Sequence, residues 1–339
     1  MQSALSSLRA RAVASVFSPR APLETAVERL GFVQADPIRA PATAQDLILR
    51  HRAVGYRAGE LDRRYASSAI EEEYLYAYGF LPRATRSLLH PRPSRPLSRV
   101  ERQVLAVVRE RGEVHPRELE ARRVVNAWGG TSKATTLALD ALHYRGMLRV
   151  VRRDAGTRVY ALATPMERMP DGERLRRLIL LLAQILGPAS ERTLRSMTAR
   201  YRALGEPRKT IDRLISEGAF RASTLDGTRY LDPAGGSGEE GAPAEVRFLA
   251  PFDPVVWDRR RFEHLWGWQY RFEAYTPVSK RVRGYYAMPL LWRDRVIGWA
   301  NADEADVRVG FVGARPREPA FRRELDAEIE RLQEFLRTA

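Results

Sequence analysis

The sequence predicts an α+β fold in which helical units, each closed by a β-hairpin, run in tandem ahead of a β-rich domain. Three observations carry this. Two segments roughly 65 to 70 residues apart repeat one order of patterns, helical spacing and then a turn-centred hairpin. Linkers rich in Pro or Gly flank the two segments. The last third of the chain, up to a charged amphipathic stretch, reads as short strands.

Residues 1–90 read as mostly helical. A helix over 21–30 ends at Gly31, the residue type best suited to a helix C-terminus. Short helices are expected over 51–64, 71–78 and 82–88, making this region a divergent copy of the repeat. Glu71-Glu72-Glu73 reads as a solvated helix start, where the helix dipole favours carboxylates. His90-Pro91-Arg92-Pro93-Ser94-Arg95-Pro96 is a stiff linker.

The first clear repeat spans 97–163. An amphipathic helix over 100–111 is followed by a second opening at His115-Pro116, with Pro in its first turn. After Trp128-Gly129-Gly130, a third helix begins behind Thr131 and Ser132, hydroxyls able to cap it. A hairpin over 147–162 turns at Asp154-Ala155-Gly156. The second repeat spans 171–232: helices over 173–186, from a Ser190 cap to about 204, and over 207–217, then a hairpin turning at Asp226-Gly227. Three helices and a two-stranded wing is the winged-helix plan, a helix-turn-helix with a β-ribbon appended. A flexible linker over 235–243 leads to a domain over 245–339, β-rich to residue 312 and closed by a helix over 317–336.

Composition narrows the function. The chain has 339 residues, 57 Lys and Arg against 42 Asp and Glu, and a net charge of +15. Such an excess favours polyanionic partners through phosphate neutralisation and counterion release. Only three cations are lysines (Lys133, Lys209 and Lys280), and arginine both forks onto phosphate and stacks on bases. The absence of cysteine removes thiolate nucleophiles, iron–sulfur clusters and Cys-ligated zinc. The five histidines have no metal-ligand spacing, so no metal or other cofactor is expected. With no apolar run long enough to span a bilayer and no signal-peptide core, a cytoplasmic protein that does not use a membrane is expected.

The main candidate for chemistry is Gln34-Ala35-Asp36, an amide and a carboxylate inside an apolar stretch. Residues two apart in an extended segment point the same way, so both could face one cleft and hold a water. Asp before Pro is also a common turn, and the spacing alone leaves that reading open. Arg39 and His51 lie near the pair in sequence and are candidates for contacting DNA, with a structural role the alternative for His51. In the third helices, Lys133 and Arg145 of the first repeat and Lys209 of the second are groove-facing candidates. Thr276, Ser279, Lys280, Arg281, Arg283 and Tyr285 mix cations, hydroxyls and an aromatic, fit to clamp a phosphodiester and stack on a base. A charged hairpin edge is the competing reading.

The stretch 30–38 with Ala44-Gln45-Asp46-Leu47-Ile48-Leu49 resembles the opening of the AlkZ-type winged-helix DNA glycosylases. Pro251-Phe252-Asp253-Pro254-Val255-Val256-Trp257-Asp258-Arg259 and the run 275–286 followed by Pro289-Leu290-Leu291-Trp292 are similar too. The resemblance spans nearly the whole chain. It implies tandem winged helices and a C-terminal β-domain, C-shaped around a duplex-sized channel. It also implies removal of alkylated purines and unhooking of interstrand crosslinks. Gln34 and Asp36 match the Gln-x-Asp form of the family's catalytic pair. Two departures stand out: Tyr76-Ala77-Tyr78 where many relatives carry Trp-x-His, and the small Ala35 between the pair. The expectation is a monofunctional DNA glycosylase acting on N7-alkylpurines in duplex DNA, a monomer because one chain supplies two DNA-binding units. A tandem winged-helix regulator, or a protein that binds damage without cutting it, is the alternative.

Overall fold

The computed structural model describes residues 2–119, 123–125, 131–235, 244–303 and 306–337. The turn at Trp128-Gly129-Gly130 and most of the 235–243 linker lie outside them. The chain begins with α1 (Gln2–Ala14) and α2 (Leu23–Leu30), followed by β1 (Val33–Gln34), α3 (Ala44–Leu49), α4 (Glu60–Arg64), β2 (Ile70–Tyr74), β3 (Tyr78–Pro82) and α5 (Arg86–Leu89). Next come α6 (Arg99–Arg111), β4 (Glu113–Val114), β5 (Arg123–Val125), β6 (Thr131–Lys133), α7 (Ala134–Tyr144), β7 (Leu148–Asp154) and β8 (Thr157–Leu162). A third unit holds α8 (Asp171–Ile185), β9 (Ala189–Ser190), α9 (Glu191–Thr198), α10 (Pro207–Ser216), β10 (Phe220–Leu225) and β11 (Thr228–Pro233). The last part contains β12 (Val246–Phe248), α11 (Pro254–Trp257), α12 (Arg259–Trp266), β13 (Met288–Trp292), β14 (Arg295–Ala302), β15 (Val307–Phe311) and α13 (Pro319–Arg337).

Three of the sheets share one topology, with orders β1-β3-β2, β4-β8-β7 and β9-β11-β10. In each, a two-residue strand pairs antiparallel with the second strand of the hairpin that follows. The final four strands form an antiparallel meander, β12-β13-β14-β15. The fold is therefore mixed, with helices and antiparallel sheets alternating along the chain.

Local signals explain several boundaries. Ser98 accepts from the Glu101 amide while Glu101 reaches back to the Ser98 amide, a reciprocal cap that starts α6. Ser190 caps α9 by accepting from Thr193 N. The two-residue turns of the β7–β8 and β10–β11 hairpins use positive φ, at Ala155 and Gly156 (46° and 79°) and at Asp226 and Gly227 (46° and 72°), which matches the twist of the flanking strands.

The first unit departs most from the sequence expectation. Residues 71–78 form the β2–β3 hairpin rather than a helix, and of the 82–88 stretch only residues 86–88, in α5, are α-helical. Within 51–64 only Glu60–Arg64 is helical, because Gly55 and Gly59 take positive φ and interrupt the helix. The helix expected at His115-Pro116 is a single 3-10 turn, Pro116–Glu118. Thr131 and Ser132 lie in β6 rather than serving as a helix cap.

Packing then fixes the first unit on two sides. Phe32 and Leu81 join the apolar face of α8, including Leu178, Ile179 and Leu182, in one buried cluster with the third unit. On the other side, Glu71, Glu72 and Glu73 are each almost wholly buried, not solvated as their sequence suggests. Glu71 binds Arg83 and Arg149, Glu72 binds Arg153, and Glu73 binds His90 at 2.6 Å. Arg149 and Arg153 belong to β7, so the hairpin of the second unit is locked against the first. Helix α1 reaches the third unit, where Arg11 pairs with Asp232 at 3.1 Å.

Gly79 is the tightest point of the β1–β3 pairing, opposite Gln34. A Cβ there would stand 2.6 Å from the Phe32 ring and against the Val33 carbonyl. Gly79→Ala is expected to destabilise the protein by roughly 1–3 kcal/mol or more through overpacking, read as a lowered urea midpoint. An unchanged midpoint would contradict the tight approach. Among the described residues, no helix is long and apolar enough to cross a membrane.

Candidate active site

The site grows from the end of α2. Leu23, Ala26, Val27 and Leu30 bury its apolar face, and Gly31 (φ 70°) ends it with its amide on the Glu28 and Val27 carbonyls. The chain turns into β1, where Val33 pairs with Phe80 and Gln34 with Gly79. Ala35 N donates to Tyr78 O at 3.0 Å and carries the extended path one residue further. At Asp36 the path turns: Oδ1 accepts from Ile38 N at 2.9 Å. The turn uses only one carboxylate oxygen, and Oδ2 has no partner among the described residues.

Each polar group of the pair is unusual. Gln34 Oε1 is buried with no hydrogen-bond partner, a condition that costs about 1–3 kcal/mol unless something else fills it. Asp36 is partly buried, and its carboxyl is raised above the ordinary range by burial, against a smaller opposing pull from the Ile38 amide. The Gln45 side-chain oxygen faces the Asp36 amide at 3.4 Å. Next to it, Asp46 ties the following loop together, accepting from Thr43 Oγ1 (2.7 Å), Tyr56 OH (2.8 Å) and Gly59 N (2.9 Å).

Tyr76-Ala77-Tyr78 forms the turn beside the pair. Tyr76 packs edge-on to Phe32 (4.8 Å between centroids) and against Trp257 (4.6 Å). The Tyr78 hydroxyl donates to Glu72, and Arg158 stacks on its ring at 4.4 Å. Both tyrosines thus serve packing where a histidine would have offered a titrating group.

A cleft of about 400 Å³ is lined by Ala40, four residues beyond Asp36, and by Arg283, Tyr285, Tyr286, Asn301 and Arg308. One wall comes from the loop 271–287, which is held by a buried carboxylate. The Glu273 carboxylate, almost fully buried, accepts from the amides of Val282 (3.0 Å), Arg283 (2.9 Å) and Gly284 (3.1 Å). Burial alone would raise this carboxyl, yet the backbone donors hold it below the ordinary range. A larger cleft of about 1070 Å³ lies between α9, the start of α10 and the Gly227 turn. Neither cleft is lined by Gln34 or Asp36, so the pair rather than cleft size marks the candidate chemistry.

The candidate DNA contacts fall into two groups. Arg39, Lys133, Ser279 and Lys280 are exposed, as is Lys209, which is paired with Glu206 at 2.8 Å. Tyr285 is 41% exposed, with Arg281 over its ring at 5.0 Å, and Thr276 O accepts from Arg281 Nε at 2.8 Å. Tyr275, Val278 and Val282 stand out further, so the loop presents apolar side chains among its cations. Arg283 turns inward between Trp268 (4.9 Å) and Trp299 (5.4 Å) and lines the cleft.

Two candidates are placed where they cannot meet a phosphate in this conformation. His51 is buried, its Nε2 3.0 Å from the Phe248 carbonyl, and burial followed by the Arg50 charge keeps it neutral. Arg145 is spent on the linker, donating to the Arg95 carbonyl at 2.7 Å and pairing with Glu101 at 3.7 Å. The residues that sequence reasoning missed are Glu273 and Tyr286; the first had no local signal, and the second sat in an apolar run that reads as sheet. Of the aromatic cluster 257–275, Trp266, Trp268 and Tyr270 are core, each bonded to a backbone carbonyl, while Tyr275 is 82% exposed.

The comparisons agree with this architecture. The family model described as "DNA glycosylase AlkZ-like" matches residues 27–335, which takes in the Gln34–Asp36 pair and all three hairpin units. The fold is similar to that of the Streptomyces sahachiroi DNA glycosylase AlkZ, with a TM-score of 0.62 at 15% identity over 98% of this chain and 96% of that one. The chain belongs to the AlkZ-like DNA glycosylase family.

Proposed function

We propose that this DNA glycosylase hydrolyses the N-glycosidic bond of N7-alkylated purines in duplex DNA and unhooks interstrand crosslinks, without lyase chemistry. The observation that carries the reading is the pair itself: a raised carboxylate with one oxygen free, two residues from a buried amide oxygen that lacks a partner. An N7-alkylated purine is cationic and leaves readily, so the enzyme has little need of a leaving-group acid. What remains is to place a water against C1′ and stabilise an oxocarbenium-like sugar. In this mechanism Gln34 holds the water, and Asp36 takes its proton while its charge stabilises the sugar cation.

The three helix-and-hairpin units are read as winged-helix modules whose basic surfaces grip the phosphates of duplex DNA, with Arg39, Lys133, Lys209 and the loop bearing Lys280 and Arg281 as contacts. Such a monomer leaves a crosslinked base inside the duplex, which suits a lesion tethered to both strands and unable to flip fully. The test uses duplexes carrying one N7-methylguanine or one nitrogen-mustard crosslink, followed by hydroxide and a denaturing gel. Scission at the lesion above spontaneous depurination is expected. Cleavage equal to the no-enzyme lane on both substrates, with tight duplex binding retained, would make the chain a damage binder instead.

A pH profile follows from the raised Asp36. The base works only when ionised, so the single-turnover rate should climb with pH through the folded-state pKa of Asp36 and then level off. Because burial lifts that value, the limb should lie above the ordinary aspartate value of about 3.9. A rate that is flat from about pH 4 to about pH 8 would remove Asp36 as the base.

A further inference from the structure

The tip of the loop 271–287 exposes apolar side chains that the fold does not need. Among the described residues eight large apolar side chains are exposed, and four of them, Tyr275, Val278, Val282 and Tyr285, fall within this one loop. Single exposed apolar residues need no explanation, but a cluster marks a surface that something covers. Val278 and Val282 are 76% and 77% exposed, so they add next to nothing to the core.

The exposure is not that of a loose segment, because the loop is closed at two levels. At its base the buried Glu273 carboxylate accepts from the amides of Val282, Arg283 and Gly284. The Asn301 amide donates to the Arg283 carbonyl at 2.6 Å and fixes the same side. Nearer the tip, Arg281 Nε donates to the Thr276 carbonyl at 2.8 Å and draws the two ends of 276–281 together. Between them lies a 3-10 turn, Val278–Lys280, with the Lys280 amide on the Pro277 carbonyl at 2.9 Å. Pro277 stiffens the entry to this turn. Val278 thus stands at the end of a compact, stapled loop, and such preorganisation lowers the entropy cost of binding. No residue of 275–287 lies in a strand, so the cations there do not protect a sheet edge.

Charge selects the partner. The one carboxylate in 271–285 is Glu273, which is buried and engaged by backbone amides. Arg271 and Lys280 are exposed, and Arg281 lies over the Tyr285 ring. The loop is therefore an apolar tip in a cationic frame, with no exposed carboxylate to repel phosphate. For a member of a DNA glycosylase family, the polyanion with an apolar interior between two rows of phosphates is duplex DNA.

Resting on the duplex-DNA reading above, we propose that Val278 is a wedge that enters a groove of the duplex and inserts between two base pairs. Tyr275 and Val282 pack beside it, and Lys280 and Arg281 meet the flanking phosphates. Apolar wedges of this kind part neighbouring base pairs and kink the duplex by about 20–90°. Parting the stack loosens a base without extruding it, which serves a lesion tied to both strands.

The test uses the full chain and a duplex with one N7-methylguanine on a 2′-fluoro sugar, where the electron-withdrawing fluorine opposes oxocarbenium formation and base loss. 2-Aminopurine is placed at successive positions on either side of the lesion, and a dye pair marks the duplex ends. Parent binding should raise 2-aminopurine fluorescence at one step and shorten the end-to-end distance. Val278→Ser with Val282→Ser should abolish both changes and weaken the duplex Kd about tenfold. Its Tm and the slope of log Kd against log salt should match the parent's, since no cation is removed. Val278→Leu should keep both changes. Fluorescence that stays flat at every position on a saturated duplex, or a double variant that keeps the parent's rise, would overturn the wedge. Flat fluorescence with self-association or anionic-vesicle binding that the double variant loses would overturn it and assign the tip to that partner. Base release from the ordinary 2′-deoxy duplex is measured separately. A parent that parts the stack but releases no base would refute the glycosidic reading and keep the wedge; one that releases base without parting the stack would do the reverse.

Discussion

Asp36→Asn is expected to lower the single-turnover rate of base release by about 10²- to 10⁴-fold, the usual contribution of a positioned general base. The substitution is chosen for what it leaves intact. Asn keeps an oxygen for the Ile38 amide, so the turn that follows β1 survives. It removes the free carboxylate oxygen as a proton acceptor and the negative charge that faces the developing sugar cation. Duplex affinity and Tm should stay near the parent values, because the basic surfaces lie elsewhere and the carboxylate is partly buried without a cationic partner. Gln34→Ala, which loses a holder of the water but not the base, should cost less, about tenfold. Rates for Asp36→Asn within a factor of about two of the parent would exclude the carboxylate from the chemistry and leave the Asx turn as its whole purpose.

The pair could be read in the sequence because its information is local. Two polar residues at a spacing of two, between Val33 and Pro37, announce an extended stretch ending in a turn. The same locality explains why the cap at Ser190 and the turns at Ala155-Gly156 and Asp226-Gly227 were legible. What makes the pair reactive is not local. The Asp36 charge is felt by Tyr286, about 250 residues away in sequence, so its surroundings are set by distant chain. His51 failed for a related reason. Its proximity to the pair in sequence says nothing of the Phe248 carbonyl and Glu328, which come from the far end of the chain and bury it. Glu71-Glu72-Glu73 is the sharpest case. Three adjacent carboxylates read as a solvated surface because water is their usual partner. Here the partners are Arg149 and Arg153 of β7 and His90 of the linker, supplied by segments that no local pattern connects to β2.

That buried cluster makes the second large prediction. Glu72 is fully enclosed, and both its oxygens are bound by Arg153, at 2.8 and 2.7 Å. Burial on its own would raise the Glu72 carboxyl, but the Arg153 fork, with help from the Tyr78 hydroxyl, outweighs it and holds the group below the ordinary range. Glu72→Ala would strand the Arg153 guanidinium, itself partly buried, without its counter-charge. Breaking a buried pair from one side costs about 3–5 kcal/mol, a large part of the stability of a typical domain. The loss should appear as a lower urea midpoint, together with faster proteolysis at the junction of the first two units, since Glu72 sits in β2 and Arg153 in β7. Replacing both partners with apolar residues, as in Glu72→Leu with Arg153→Met, should recover much of the loss, because the desolvation of two charges is then removed as well. The sign of the pH dependence is set by the lowered carboxyl: its stabilisation is fully present above the unfolded glutamate value of about 4.3 and disappears as pH falls through the folded value. The parent should therefore lose stability on acidification more steeply than the Leu/Met double variant, and equal slopes would show that the Glu72–Arg153 pair does not hold the two units together.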